Sequence, residues 1–139
     1  RDFPEQAVPS FASKHNISVV YKHWIGEWRS MLGVNMKYAS PRVYNDPNST
    51  IFNGVKMSPY RSVDMSWSYL FRQNIIVYGA VTNVFGFKNE YGRRYSELPD
   101  SGGFYPSAPV VPESDRFYVL GCFITLTKGR SANQLDKIE

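Results

Sequence analysis

The chain has 139 residues, of which 42% are hydrophobic and 20% charged, so composition excludes disorder and allows one domain at most. Its formal net charge of +4 is spread along the chain, with no basic run beyond the pair Arg93-Arg94, which argues against a nucleic-acid partner. A single cysteine, Cys122, excludes an internal disulfide; His15 and His23 stand apart from any cysteine cluster, so neither a metal nor a cofactor is expected.

The chain opens on Arg1 with no visible signal peptide, as expected of a processed product or a fragment. The first patterned stretch is ambiguous. Ile17, Val20, Tyr21, Trp24, Ile25, Trp28, Met31, Leu32 and Met36 fit a helical stripe. Gly26 and Gly33, and the β-branched run at Ile17, Val19 and Val20, favour instead a hairpin of strands at about 17–24 and 28–39, turning near Gly26. In the second strand Trp28, Leu32, Val34, Met36 and Tyr38 share one face, and Arg29, Asn35 and Lys37 the other.

Residues 40–62 are rich in Pro, Asn, Ser and Tyr and read as a long loop. The clearest alternation follows at 63–72. Val63, Met65, Trp67, Tyr69 and Phe71 lie on one face, and Asp64, Ser66, Ser68, Leu70 and Arg72 on the other. A short turn at Gln73-Asn74 leads into a strand at 74–85. A second long loop spans 86–115, a last strand 116–127, and a tail 128–139. The strands at 74–85 and 116–127 are apolar on both faces, so alternation leaves their facing open.

These connections alternate short, long, short, long, which puts both long ones at the same strand ends. Structureless loops beyond ~15 residues are uncommon in compact soluble domains and regular in transmembrane barrels, with short periplasmic turns and long extracellular loops. The strand lengths suit the ~9–11 residues that cross a bilayer at a tilt. Trp24, Trp28 and Phe71 would form one aromatic girdle, and Tyr38, Phe85, Phe117 and Tyr118 the other. The pattern therefore predicts an all-β fold: about five antiparallel strands of a transmembrane β-barrel, paired in chain order. Both outer edges await strands beyond the five. Met65 and Trp67 would face lipid, while Arg29, Asn35, Lys37, Asp64, Ser66 and Ser68 would face the lumen. The competing reading is a secreted or surface β-sandwich that binds carbohydrate or protein, since aromatics also abound in sandwich cores.

No catalytic constellation is present. Asp100-Ser101 lacks a positioned base, and Gly102-Gly103 lacks the strand–glycine–helix setting of a phosphate cradle, so the chain is not expected to be an enzyme. Binding is the more natural role for the loops. Tyr44, Asn45 and Asp46 in the first, and Tyr91, Arg93, Arg94, Tyr95 and Phe104 in the second, offer charged forks and flat polar-tipped rings.

Residues 66–86, from Ser66-Trp67-Ser68-Tyr69 through Asn74-Ile75-Ile76-Val77-Tyr78-Gly79 to Val84-Phe85-Gly86, resemble the end of TonB-dependent receptor barrels of the Bacteroidetes type. Lys88-Asn89-Glu90-Tyr91-Gly92-Arg93-Arg94-Tyr95-Ser96, Pro109 to Pro112 with Arg116-Phe117, and Phe123-Ile124-Thr125-Leu126-Thr127 are similar to the same family. So are Pro9 to Asn16, Tyr44-Asn45-Asp46-Pro47-Asn48 and the tail Asn133-Gln134-Leu135-Asp136. The resemblance is collinear over nearly the whole chain. It implies the C-terminal portion of a nutrient-uptake barrel in the bacterial outer membrane and two strands in the ambiguous stretch. It also implies, as partners, the remainder of the barrel and its plug, outer-membrane lipid, TonB through a segment outside these residues, and a surface lipoprotein. The chain runs on through Lys128 to Glu139, where many such barrels stop on an aromatic residue.

Overall fold

The computed structural model describes residues 8–10 and 12–126 and contains only strands, turns and irregular segments among them. The ambiguous stretch is two strands, β1 (Asn16–Ile25) and β2 (Ser30–Ala39). Between them the Arg29 N–H donates to the Gly26 carbonyl at 3.0 Å, and Arg29 takes a φ of 44°. β-Branched residues before Gly26 favour the extended backbone, and the left-handed turn at Arg29 reverses the chain before a helical period can be used.

Two further long strands follow, β5 (Tyr60–Arg72) and β6 (Ile75–Val81), and the last is β9 (Tyr118–Ile124). These five make one sheet in the order β1-β2-β5-β6-β9, with β5–β6 and β6–β9 antiparallel. The sheet is open, with β1 and β9 as its edges; no closed barrel forms among the described residues. The expected strand over 74–85 ends early. The Thr82 N–H still donates to the Phe117 carbonyl at 2.9 Å, and the Phe117 N–H to the Thr82 hydroxyl at 3.1 Å, but Asn83 adopts a φ of 48° and its N–H donates to the Asp64 carboxylate at 3.0 Å. That cap turns the chain although Thr82, Val84 and Phe85 are good strand formers. The expected last strand likewise begins at Tyr118, and Thr127 and the tail 128–139 lie outside the described residues.

The two long connections are not structureless, contrary to the sequence expectation. The first holds β3 (Val43–Tyr44) and β4 (Val55–Lys56), which pair with each other; the second holds β7 (Gly92–Tyr95) and β8 (Ser107–Val110), which also pair. The chain divides into two compact units. A loop unit takes the described residues of 1–18, 37–61 and 86–115; a sheet unit takes those of 19–36, 62–85 and 116–139.

Pleating and register assign the faces of the sheet unit. Cross-strand partners point to the same side. Met65, Trp67 and Tyr69 oppose Val81, Gly79 and Val77, which in turn oppose Tyr118, Leu120 and Cys122. From Met65 to Tyr69 and across their partners this face carries no charge; a register shift between Leu70 and Arg72 then sets Arg72 opposite Ile75, on this side, with its guanidinium 5.8 Å over the Phe71 ring. The other face carries Ser66, Ser68 and Leu70, then Ala80, Tyr78 and Ile76, then Val119, Gly121 and Phe123. The side of strands β6 and β9, open from alternation alone, thus follows from their pairing with β5.

Large hydrophobic side chains are exposed on both faces of the sheet unit, Val119 and Phe123 on the second among them. Among described residues the buried hydrophobics are Met57 and Leu70, each 9% exposed. Trp67 is 42% exposed, Phe71 53% and Leu120 84%, while Ser62 on the polar side of β5 is buried. A ladder of rings, Trp67 stacked on Tyr69 at 5.8 Å and Tyr69 tilted on Phe71 at 6.3 Å, lies on the uncharged face.

Candidate functional site

In the loop unit, asparagine side chains take the place of strand partners. The Asn89 amide donates to the Arg61 carbonyl at 2.7 Å while its oxygen accepts from the Arg61 N–H at 3.0 Å. Asn48 does the same to Tyr105, at 2.9 and 2.7 Å. The second tie joins the two long connections. A primary amide matches the donor–acceptor pair of one backbone residue, so each asparagine satisfies an edge that no strand reaches. The ends of β3 and β7 are close in the same unit. The Tyr95 hydroxyl is hydrogen-bonded to Tyr44 and Asp46; burial, then the Asp46 charge, holds its pKa up at about 12. Asp46 also closes its own turn, accepting the Asn48 N–H at 2.8 Å.

Of the loop candidates, then, Tyr44, Asp46 and Tyr95 are brought together, and their polar atoms serve one another. Arg93 donates to Glu90 at 2.9 Å and to the Ser107 hydroxyl at 3.4 Å; the Glu90 carboxylate holds the guanidinium pKa above its usual value. Tyr91 packs its ring on Tyr60 at 6.2 Å. Phe104 belongs to a turn closed by Asp100, whose carboxylate accepts the N–H groups of Gly102 and Phe104. Asn45 and Arg94 are exposed.

On the polar face of the sheet unit, Asn35, Asp64 and Ser66 line one hollow of about 280 Å³ with Gly33, Tyr78 and Thr82. A Cβ at Gly33 would sit 2.5 Å from the Ser66 hydroxyl, so the Ser66 side chain would have to move to admit one. Asp64 accepts from the Ser62 hydroxyl at 2.6 Å as well as from Asn83, so its carboxylate builds the turn after β6. Arg29 takes part in the turn before β2, its carbonyl accepting the Leu70 N–H at 2.9 Å. Arg29, Lys37 and Ser68 do not line this hollow.

No family model, curated protein or solved structure matches the chain. The residues themselves therefore carry the functional argument.

The residue that sequence reading passed over is Arg42. It lines a second hollow, of about 220 Å³ and wholly within the loop unit, with Ser13, Ser40, Ser58, Tyr60 and Glu90. One arginine beside a proline at the start of a long polar loop gives no spacing signal, and its neighbours in the hollow come from three separate segments. Among the described residues no group of histidine, cysteine and carboxylate side chains could hold a metal ion.

Proposed function

We propose that this chain supplies the closing strands of an outer-membrane β-barrel, of the kind found in TonB-dependent receptors that import nutrients. The observation that carries the reading is the uncharged middle of one face of the sheet, where Met65, Trp67, Tyr118 and Leu120 are exposed side by side, with Arg72 only at its end. Water penalises such a face at roughly 25 cal/mol per Å², while lipid does not. The free edges of β1 and β9 add a second reason, since bare backbone donors and acceptors in hydrocarbon need partner strands from elsewhere. The remainder of a barrel and its plug would supply those strands and meet the polar face. Outer-membrane lipid would cover the uncharged one. TonB and a surface lipoprotein enter only as partners of such a receptor as a whole.

A β-sandwich module that binds carbohydrate or protein would need a dry core, and Met57 and Leu70 are too little for one. The test is accessibility by face. In a Cys122→Ala background, single cysteines at Trp67 and Ser68 are placed in the chain within its native membranes. A water-soluble maleimide should label the Ser68→Cys variant through the lumen, and a lipid-dissolved maleimide the Trp67→Cys variant. Equal labelling of both by the water-soluble reagent, or recovery of the chain as a monodisperse soluble monomer, would sink the reading.

A further inference from the structure

We infer that the hollow beside Arg42 binds a small hydroxylated carboxylate, of the sugar-acid class. Arg42 is half-buried, and its guanidinium has no partner among the described residues; only its backbone carbonyl is engaged, by the Met57 N–H at 2.8 Å. A half-buried cation that no described carboxylate pairs with favours an anion that does, and a guanidinium fork matches the two oxygens of a carboxylate.

The rest of the wall reads the body of the ligand. The Ser13 hydroxyl is spent on the Ser40 carbonyl at 3.0 Å, and the Ser40 hydroxyl oxygen accepts the His15 N–H at 2.9 Å. These bonds fix one side of the hollow. The Ser58 hydroxyl and the Tyr60 phenol have no such bond among described residues and can serve ligand hydroxyls. A space of about 220 Å³ with mostly polar walls suits one pyranose-sized ring rather than an acyl chain.

Charge selects among anions. Glu90 is the one carboxylate in the wall, and its charge is already met by Arg93 at 2.9 Å. The wall then presents about one net positive charge, which a monovalent carboxylate matches. A phosphate dianion would set a second charge against Glu90.

All of these residues belong to the loop unit, so the inference does not rest on the barrel reading, and either can fail alone. The test is equilibrium dialysis of the full chain in mild detergent against labelled glucuronate, glucose and inorganic phosphate. Glucuronate should bind saturably and at least about tenfold tighter than glucose, the usual scale of a charge-assisted fork. Arg42→Gln should lose that tenfold, and Arg42→Lys should recover part of it. Should Arg42→Gln fail to fold by circular dichroism, saturation-transfer NMR on the wild-type chain and on Ser58→Val decides, since the valine should abolish the glucuronate signal. Absence of saturable glucuronate binding, glucose bound as well, phosphate bound as tightly or tighter, or no effect of the variants would overturn the inference.

Discussion

Trp67 sits at the middle of the uncharged face, and replacing it with arginine asks directly what covers that face. Its cross-strand partner is Gly79, where an added Cβ would meet nothing within 4 Å, and beyond Gly79 lies Leu120, 84% exposed. An arginine at 67 would therefore have only uncharged neighbours, Tyr69, Leu32 and Met65 among them, and no carboxylate to pair with. At mid-depth in lipid the cost is about 2–4 kcal/mol, or about thirtyfold to a thousandfold in the folding equilibrium. The control is Ser68→Arg, one residue along the same strand, where the side chain would emerge on the other face beside Tyr78 and Gly121. Urea titration in native membranes, read by heat-modifiable gel migration, gives both midpoints. The Trp67→Arg midpoint should fall well below wild type and the Ser68→Arg midpoint should stay near it. On a water-facing surface the arginine would change stability by no more than about 0.5 kcal/mol and aid solubility. A Trp67→Arg midpoint at or above that of Ser68→Arg would refute the assignment of this face to lipid.

Gly33→Ala should destabilise by about 1–3 kcal/mol through its clash with the Ser66 hydroxyl, and Ser66→Gly in the same chain should recover most of it; denaturant midpoints of the single and double variants check this. Asn89→Leu should cost about 1–3 kcal/mol, because it leaves both backbone groups of Arg61 without their side-chain partner, and hydrogen exchange at the Arg61 amide should accelerate. Asn48→Ala should be milder, as that tie is exposed. Tyr95 should be the tyrosine that titrates late. Its folded pKa of about 12 lies above the ordinary value of 10.0, so its contribution to stability is complete below pH 10 and is lost as pH rises through about 12. Tyrosinate absorbance should show one late step that is missing in Tyr95→Phe.

What the sequence disclosed was whatever a period of two could carry. The run 63–72 alternates without a break in its apolar half, so its faces could be assigned residue by residue as far as Leu70; the register shift there, which pairs Arg72 with Ile75 and so moves it off the face expected of it, leaves no mark in the pattern. The hairpin at 17–36 was harder, because its apolar residues also satisfy a helical stripe; Gly26 and the β-branched start tilt the balance, and the turn at Gly26 to Arg29 matches that tilt. Strands β6 and β9 offered no such clue, being apolar on both sides, and their facing needed a register set by β5. The small sheets β3–β4 and β7–β8 were invisible: two- and four-residue strands show no period, and Pro109 within β8 reads as a breaker. The site was least legible. Asn48 and Tyr105 are 57 residues apart, and Asn89 and Arg61 are 28 apart; no local pattern links such positions.

The paired asparagines bear on how this protein can be altered by exchange. A long surface loop is ordinarily the part of a chain most freely swapped between relatives, because the scaffold beneath it needs only matching end points. Here Asn48 in the first connection completes the backbone of Tyr105 in the second, and Asn89 in the second completes that of Arg61 at the end of the first. A graft of either connection alone would move the backbone that one amide reads, or leave a backbone residue with no amide. The natural unit of replacement is the pair, and since each amide reads backbone rather than side chain, what must be kept is the asparagine on one side and the path of the main chain on the other.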